Sequence, residues 1–148
     1  MDTIVVGVDG SECATAALEF AAGEAALRDA RLRIVSIWEL PAMAYGGGYT
    51  PPLDEQTFEA FRLSAEKIAS DAAQTAKRLQ PAVESEILVA EGQAAEVLLE
   101  QARDATMIVV GNRGRGGFAS LLLGSVSHQV VHHASCPVIV VHGDARVG

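Results

Sequence analysis

The sequence contains the stretch Met107-Ile108-Val109-Val110-Gly111-Asn112-Arg113-Gly114, which is followed nine residues later by Gly124-Ser125. The apolar residues at its start predict a buried strand, and the glycines after them let the main chain come close to a ligand. Ser125 can then open a helix whose first amide groups favour an anion. The stretch therefore predicts a phosphate-binding loop between a strand and a helix, and nucleotide binding is the leading hypothesis.

Four other apolar runs, rich in β-branched residues, predict four more strands. None has the polar alternation of a half-exposed strand, so we expect all five to be buried on both faces of a parallel sheet. Helical patterns separate them, which gives the order βαβαβαβαβ within a single domain over residues 1–148. Right-handed crossovers then predict an α/β fold with an open, doubly wound sheet in the flavodoxin-like strand order 3-2-1-4-5. The other runs are Ile4–Val8, Leu32–Trp38, Glu86–Val89 and Val138–Val141.

Composition narrows the possible partners and location. The formal net charge of −8 argues against nucleic acid as a partner, because duplex binding draws on clustered Lys and Arg. No apolar run approaches the twenty or so residues that a membrane span needs, and no signal peptide is visible, so we expect a cytoplasmic protein with no membrane contact. Cys13 and Cys136 are expected to be reduced thiols.

Two loops follow the predicted carboxyl ends of strands one and four, where ligands bind in such sheets. The first is Asp9-Gly10-Ser11, and the second runs from Gly111 to Gly117. Asp9 can cap the next helix, contact a ribose or hold Mg²⁺, and these roles are compatible. Arg113 and Arg115 can meet a phosphate tail, although solvated loop arginines are the alternative.

The chain resembles a universal stress protein domain of the ATP-binding subclass over nearly its whole length. The opening Ile4–Ser11 resembles the family's first strand and loop, and Cys136–Val141 resembles its closing strand. The family's signature is Gly, two residues, Gly, nine residues, Gly and then Ser or Thr. All four marked positions match, at Gly111, Gly114, Gly124 and Ser125.

The resemblance implies a set of ligand contacts. The loop at Asp9 would meet the nucleotide, Ile37 and Val110 would pack near the adenine, and the glycine loop would hold ribose and phosphates. ATP is the implied cofactor, with Mg²⁺ on Asp9 as a possible companion. Asn112 stands where Ser or Thr is common, and it keeps polar capacity there. The full set of expected binding residues is Asp9, Gly10, Ser11, Ile37, Val110, Gly111, Arg113, Gly114, Gly124, Ser125, Val126 and Ser127.

Competing site hypotheses are weaker. A Walker loop is absent, because Gly117 replaces the lysine that would reach the terminal phosphates. The loose dinucleotide pattern Gly114–Ala119 follows the fourth strand rather than the first. His128 and His132 are four residues apart and could both face one metal ion, but no third ligand is evident and a solvated helix face also explains them. The glycines could also be a tight connection, with Ser125 as an ordinary N-cap.

The resemblance and the pattern leave the activity open between two classes. One is an ATP-responsive regulatory module with an unidentified protein partner, and the other is a slow Mg-dependent ATPase; a nucleotide-free partner-binding module is a third possibility. No residue can be nominated to orient an attacking water, so we expect binding with slow or no turnover.

We also expect the segment Pro41–Gln56 to be a lid or an insertion, and Pro137–His142 to be an edge strand that pairs in a homodimer.

Overall fold

The structure, a computed structural model, describes residues 1–39, 54–113 and 123–143. Five parallel strands form one sheet in the order β3-β2-β1-β4-β5, which confirms the predicted order. The apolar runs thus form the strands that the sequence predicts, with ends that differ by at most two residues. The strands are β1 Thr3–Val8, β2 Arg31–Trp38, β3 Ser85–Glu91, β4 Met107–Gly111 and β5 Val138–Val141.

Helices cover both faces of the sheet, as predicted. They are α1 Glu12–Arg28, α2 Glu55–Leu79, α3 Ala94–Gln101 and α4 Ser125–His133. On β1, Ile4 and Val6 pack against α1 and α2, whereas Val5 packs against α3 and α4. This alternation follows from the two-residue period of a strand, and it makes β1 the centre of both apolar layers.

Burial on both faces holds for the central strands and fails at the edges of the sheet. The residues of β5 are only half-buried, and Ile87 of β3 keeps 47% of its surface exposed. An edge strand has a neighbour on one side alone, and the helices pack mainly over the middle of the sheet. The expectation that all five strands are fully buried is therefore wrong for β3 and β5.

Two helix starts differ from the sequence interpretation. Asp54 caps α2 by accepting a hydrogen bond from the Thr57 N–H at 2.8 Å, so Glu55 and Gln56 belong to α2 rather than to the predicted lid. The rest of that segment, residues 41–53, lies outside the described residues. At α4 the N-cap is Gly124, and Ser125 is the first helical residue instead of an N-cap.

A partly buried arginine fixes α3 against the sheet at the edge opposite the carboxyl ends of the strands. Arg33 of β2 donates from Nε to Glu86 Oε1 on β3 at 2.6 Å, and from Nη1 to the Gln101 carbonyl at 2.8 Å. The last carbonyls of a helix lack partners within the helix, so this bond supplies one. Both cysteines are free, and none of the helices in the described ranges is long and apolar enough to cross a membrane.

Candidate functional site

A cavity of about 290 Å³ opens at the carboxyl ends of β1 and β4, on the sheet face that carries α3 and α4. Ligands bind at this edge of doubly wound sheets, where the connections from neighbouring strands diverge to opposite faces. Strands β1, β2 and β4 contribute to its wall together with the first turns of three helices. The described lining is Gly7, Val8, Asp9, Ala14, Val35, Ile37, Ala94, Leu98, Val110, Gly111, Arg113, Gly124, Ser125, Val126 and Ser127.

Most of the residues nominated from the sequence meet around this one cavity. Gly10 and Ser11 are not among its lining residues, and Gly114 lies outside the described part of the chain. Residues from four separate elements thus come together as the strand-end rule predicts. The nominated residues that line the cavity are Asp9, Ile37, Val110, Gly111, Arg113, Gly124, Ser125, Val126 and Ser127.

The loop after β1 is held by its own side chains. Asp9 accepts a hydrogen bond through Oδ1 from the Ser11 N–H at 2.9 Å, and Ser11 Oγ in turn accepts from the Ala14 N–H at 3.2 Å. Gly10, at φ 84°, supplies the left-handed conformation that this turn requires. Ser11 is therefore the cap of α1, while Asp9 both braces the turn and faces the cavity.

Asn112 joins the three elements on the other side of the cavity. Its side chain is 3% exposed, its N–H donates to the Val141 carbonyl at 2.9 Å, and its carbonyl accepts from the Gly124 N–H at 2.6 Å. Its Oδ1 accepts a further bond from the Gly143 N–H at 3.4 Å. The main chain of Asn112 thus ties the end of β4 to β5 and to the start of α4, and its amide side chain, which departs from the family pattern, adds a bond to the residues after β5.

The two serines at the start of α4 differ in what their hydroxyls can do. Ser127 is 2% exposed, and its Oγ lies 3.0 Å from the Asn112 carbonyl and 3.2 Å from the Gly124 carbonyl. Its single hydroxyl proton is therefore engaged by the main chain. Ser125 is exposed and lines the cavity, and it precedes amide groups that lack partners within the helix.

A close approach of α1 to the end of β4 leaves no room for a side chain on Gly111. A Cβ atom at this position would lie 2.8 Å from the carbonyl carbon, the carbonyl oxygen and the Cβ of Cys13. At Gly143 a Cβ would lie 2.7 Å from Cys13 Sγ. These glycines are therefore required by packing between the helix and the loop, apart from any contact that they make with a ligand.

The opposite end of the cavity is apolar, and the sequence nominated only Ile37 and Val110 in it. Gly7 and Val35 form its floor, while Ala94 and Leu98 reach it from the first turns of α3. A Cβ on Gly7 would lie 3.1 Å from both terminal carbons of Leu98. A glycine within a buried strand was the available signal for this close approach. The helical spacing of Leu98 and its apolar neighbours predicts only that they face the core.

Charge in the cavity is sparse. Among the described lining residues, Asp9 supplies the negative charge and Arg113 the positive one. Across the described ranges, no three His, Cys, Asp or Glu side chains are grouped so as to hold a metal ion. Among the described residues, the start of α4 and the Arg113 guanidinium can therefore bind an anion, and the other end of the cavity can hold a flat apolar group.

Comparison with known proteins identifies related sequences. A family model described as the universal stress protein family matches residues 1–142. A universal stress protein of Mycolicibacterium smegmatis is 36% identical over 148 residues, covering 95% of this chain and 48% of its own length. One from Mycobacterium tuberculosis is 38% identical over 141 residues, covering 95% and 48%. The chain spans about half the length of the curated relatives it matches.

Solved structures of similar fold include proteins with bound nucleotides. A universal stress protein from Lactobacillus plantarum has a TM-score of 0.78 at 25% identity, covering 95% of this chain and 97% of that one. A universal stress protein in complex with cAMP has a TM-score of 0.69 at 29% identity, covering 96% and 97%. One from Archaeoglobus fulgidus, in complex with dAMP, has a TM-score of 0.69 at 28% identity, covering 95% and 98%.

Replacing Gly111 by alanine is expected to destabilise the protein. The added methyl group must displace the first turn of α1, because its nearest neighbours are main-chain atoms of Cys13. Overpacking of this kind costs about 1–3 kcal/mol in free energy of unfolding. Urea denaturation of Gly111→Ala measures the change.

Gly23→Ala is the matched control. Gly23 lies within α1, and a Cβ there has no neighbouring atom within 4 Å. The same substitution is expected to raise the free energy of unfolding by about 0.5–1 kcal/mol, because alanine is the better helix former. Equal stability of Gly111→Ala and the wild type would contradict the close packing of α1 against β4.

Proposed function

The chain belongs to the universal stress protein family, and on this premise we propose that it binds adenine nucleotides, ATP in particular, as a nucleotide-responsive regulatory module. The observation that carries the proposal is the cavity itself, with an anion-binding helix start at one end and an apolar slot at the other. A nucleotide likewise has anionic phosphates at one end and a flat, largely apolar base at the other. The related structures with cAMP and dAMP support the adenine class of ligand.

In this proposal the phosphates lie against the start of α4. Ser125 and Val126 present main-chain amides there, and the exposed Ser125 hydroxyl is able to donate. Gly124 contributes by fixing the loop, because its own N–H donates to the Asn112 carbonyl. Ser127 acts indirectly, because its hydroxyl proton is engaged by the Asn112 and Gly124 carbonyls. These bonds hold the end of β4 against the start of α4. Arg113 neutralises the phosphate tail. Gly114 lies outside the described residues and is included in the proposal because of its place in the signature.

The base lies at the apolar end, with Ile37 and Val110 on either side of it. Gly7 has no side chain to occupy the bottom of the cavity, and the short side chain of Ala94 leaves space that a larger one would fill. Asp9 stands between the two ends and is placed to accept from ribose hydroxyls or to meet Mg²⁺ carried by the phosphates. Gly10 and Ser11 contribute by setting the conformation of that turn.

A regulatory role fits the described lining better than catalysis does. Its carboxylate, Asp9, already accepts a hydrogen bond from the Ser11 N–H. Efficient phosphoryl transfer needs a held metal, a positioned water and compensated charge, and two charged side chains do not supply all three. The alternative, a slow Mg-dependent ATPase, differs by releasing phosphate during binding experiments.

We also propose that β5 pairs with its copy in a homodimer. The Pro137 carbonyl accepts from Ile108 of β4 and the Val141 carbonyl from Asn112 directly after it, so the main-chain groups of Val138 and Val140 point away from the sheet. A second chain can pair with this outward edge. We place the module, as one domain over residues 1–148, in the cytoplasm, where its nucleotide-dependent state is passed to a protein partner.

Thermal melts with nucleotides test the binding role. Mg-ATP at about one hundred times its dissociation constant should add about 2.7 kcal/mol, or roughly 5–10 °C in Tm for a chain of this size. GTP at equal concentration should shift the Tm less. Absence of a shift with every adenine nucleotide would contradict the proposal, and phosphate release on the order of 1 per second or faster would favour an enzyme.

Arg113→Gln tests the phosphate end of the cavity. Loss of a charge-assisted hydrogen bond, about 1.5–3 kcal/mol, should weaken ATP binding roughly tenfold or more and leave adenosine binding nearly unchanged. Arg103→Gln is the matched control, because it removes the same charge from an exposed position after α3, at the far edge of the sheet. Titration calorimetry with ATP and with adenosine measures the affinity of each variant. If Arg113→Gln and Arg103→Gln changed ATP affinity equally, Arg113 would not belong to the site.

Val140→Pro tests the homodimer. Proline removes an N–H that points away from β4, so the fold should be kept while the pairing between chains is lost. Val140→Ala is the control, since it shortens the same side chain and keeps the N–H. Light scattering at micromolar concentration should give a dimer mass for the wild type and the control and a monomer mass for Val140→Pro. A wild-type monomer would refute the pairing.

A further inference from the structure

An exposed pair of imidazoles lies on α4, outside the cavity. His128 and His132 are one helical turn apart, both are exposed, and their ring centroids are 4.4 Å apart. Side chains four residues apart on a helix share one face, and two histidines at this spacing are a recurrent metal-binding arrangement. We propose that this pair binds a divalent transition-metal ion, with water completing the coordination.

The distance between the rings matches what chelation requires. With metal–nitrogen bonds of about 2.0–2.1 Å, two imidazoles at a right angle around one ion have centroids about 4.5 Å apart, against about 5.2 Å at the tetrahedral angle. The observed 4.4 Å agrees with the right angle. The spacing of the pair can therefore accommodate an ion that holds two nitrogen ligands at a right angle, as octahedral Ni²⁺ does.

Ligand type excludes the hard cations. Neutral imidazole nitrogen favours Ni²⁺, Cu²⁺ and Zn²⁺, whereas Mg²⁺ and Ca²⁺ prefer oxygen. The ion that accompanies a nucleotide in the cavity would thus not compete for this pair. The formal net charge of −8 also favours the approach of a cation.

Neighbouring groups provide an internal comparison. His133 lies on the same helix and is also exposed, with its ring centroid 6.4 Å from that of His132, but consecutive residues leave a helix about 100° apart, so His133 does not face the ion that His128 and His132 share. Burial raises the pKa of the Cys136 thiol, which keeps it protonated and a poor competitor for metal. The third histidine therefore serves as a control of equal chemistry on the same element.

Calorimetric titration of the full, tag-free chain with NiCl₂ at pH 7.5 tests the site. Ni²⁺ suits this purpose because, unlike Cu²⁺, it does not oxidise the two free thiols. The wild type should bind one ion per chain, and His128→Gln and His132→Gln should each weaken binding at least about tenfold. His133→Gln should stay within about twofold of the wild type. MgCl₂ should give no binding at the pair.

Thermal melts supply a second readout and check the fold of each variant. Ni²⁺ at ten times its dissociation constant should raise the Tm of the wild type and of His133→Gln by on the order of 3 °C or more, and that of His132→Gln much less. The site is refuted if His128→Gln or His132→Gln binds Ni²⁺ as the wild type does, or if His133→Gln loses as much as they do. Failure of nucleotide binding has no bearing on this test, because neither histidine lines the cavity.

Discussion

The contact between the first turn of α1 and the end of β4 is the constraint on which the site depends. Main-chain atoms of Cys13 come so close to Gly111 that no side chain fits between them, and the Cys13 thiol closes on Gly143 in the same way. Asn112, between these glycines in space, bonds the end of β4 to β5 and to the N-cap of α4. One wall of the cavity, at Gly111 and Gly124, is thus held in place by contacts with α1, β5 and the residues after β5.

That construction explains which parts of the molecule could be predicted from the sequence. Continuous apolar runs identified the five strands of the described residues, because burial between two helix layers removes polar alternation from the central strands. Gly124 located the start of α4, and Gly111 stands where the close approach of α1 leaves no room for a side chain. Residues such as Leu98 escaped notice, since a side chain that faces a cavity and one that faces the core have the same helical periodicity.

The errors have physical causes of the same kind. Ile87 looks like a core residue by composition, but the sequence does not show that β3 has a neighbour on one side only. Ser127 was nominated by the family resemblance to hold ribose or phosphates through its amide or hydroxyl; it lines the cavity, but the sequence does not show that its hydroxyl proton is engaged by main-chain carbonyls. In both cases the environment of the side chain depends on tertiary contacts, and a local sequence pattern does not contain those contacts.

The central position of β1 has a consequence for synthesis on the ribosome. Strand β1 emerges before either of its neighbours, pairs next with β2, and must keep its other edge open until β4 emerges, since Ile4 pairs with Met107. Pairings this distant along a chain form late and slowly. A nascent chain that stops before α4 therefore lacks the second half of the cavity, and α3 alone covers that face of the sheet. Until β4 emerges, the apolar edge of β1 is a surface that chaperones can recognise.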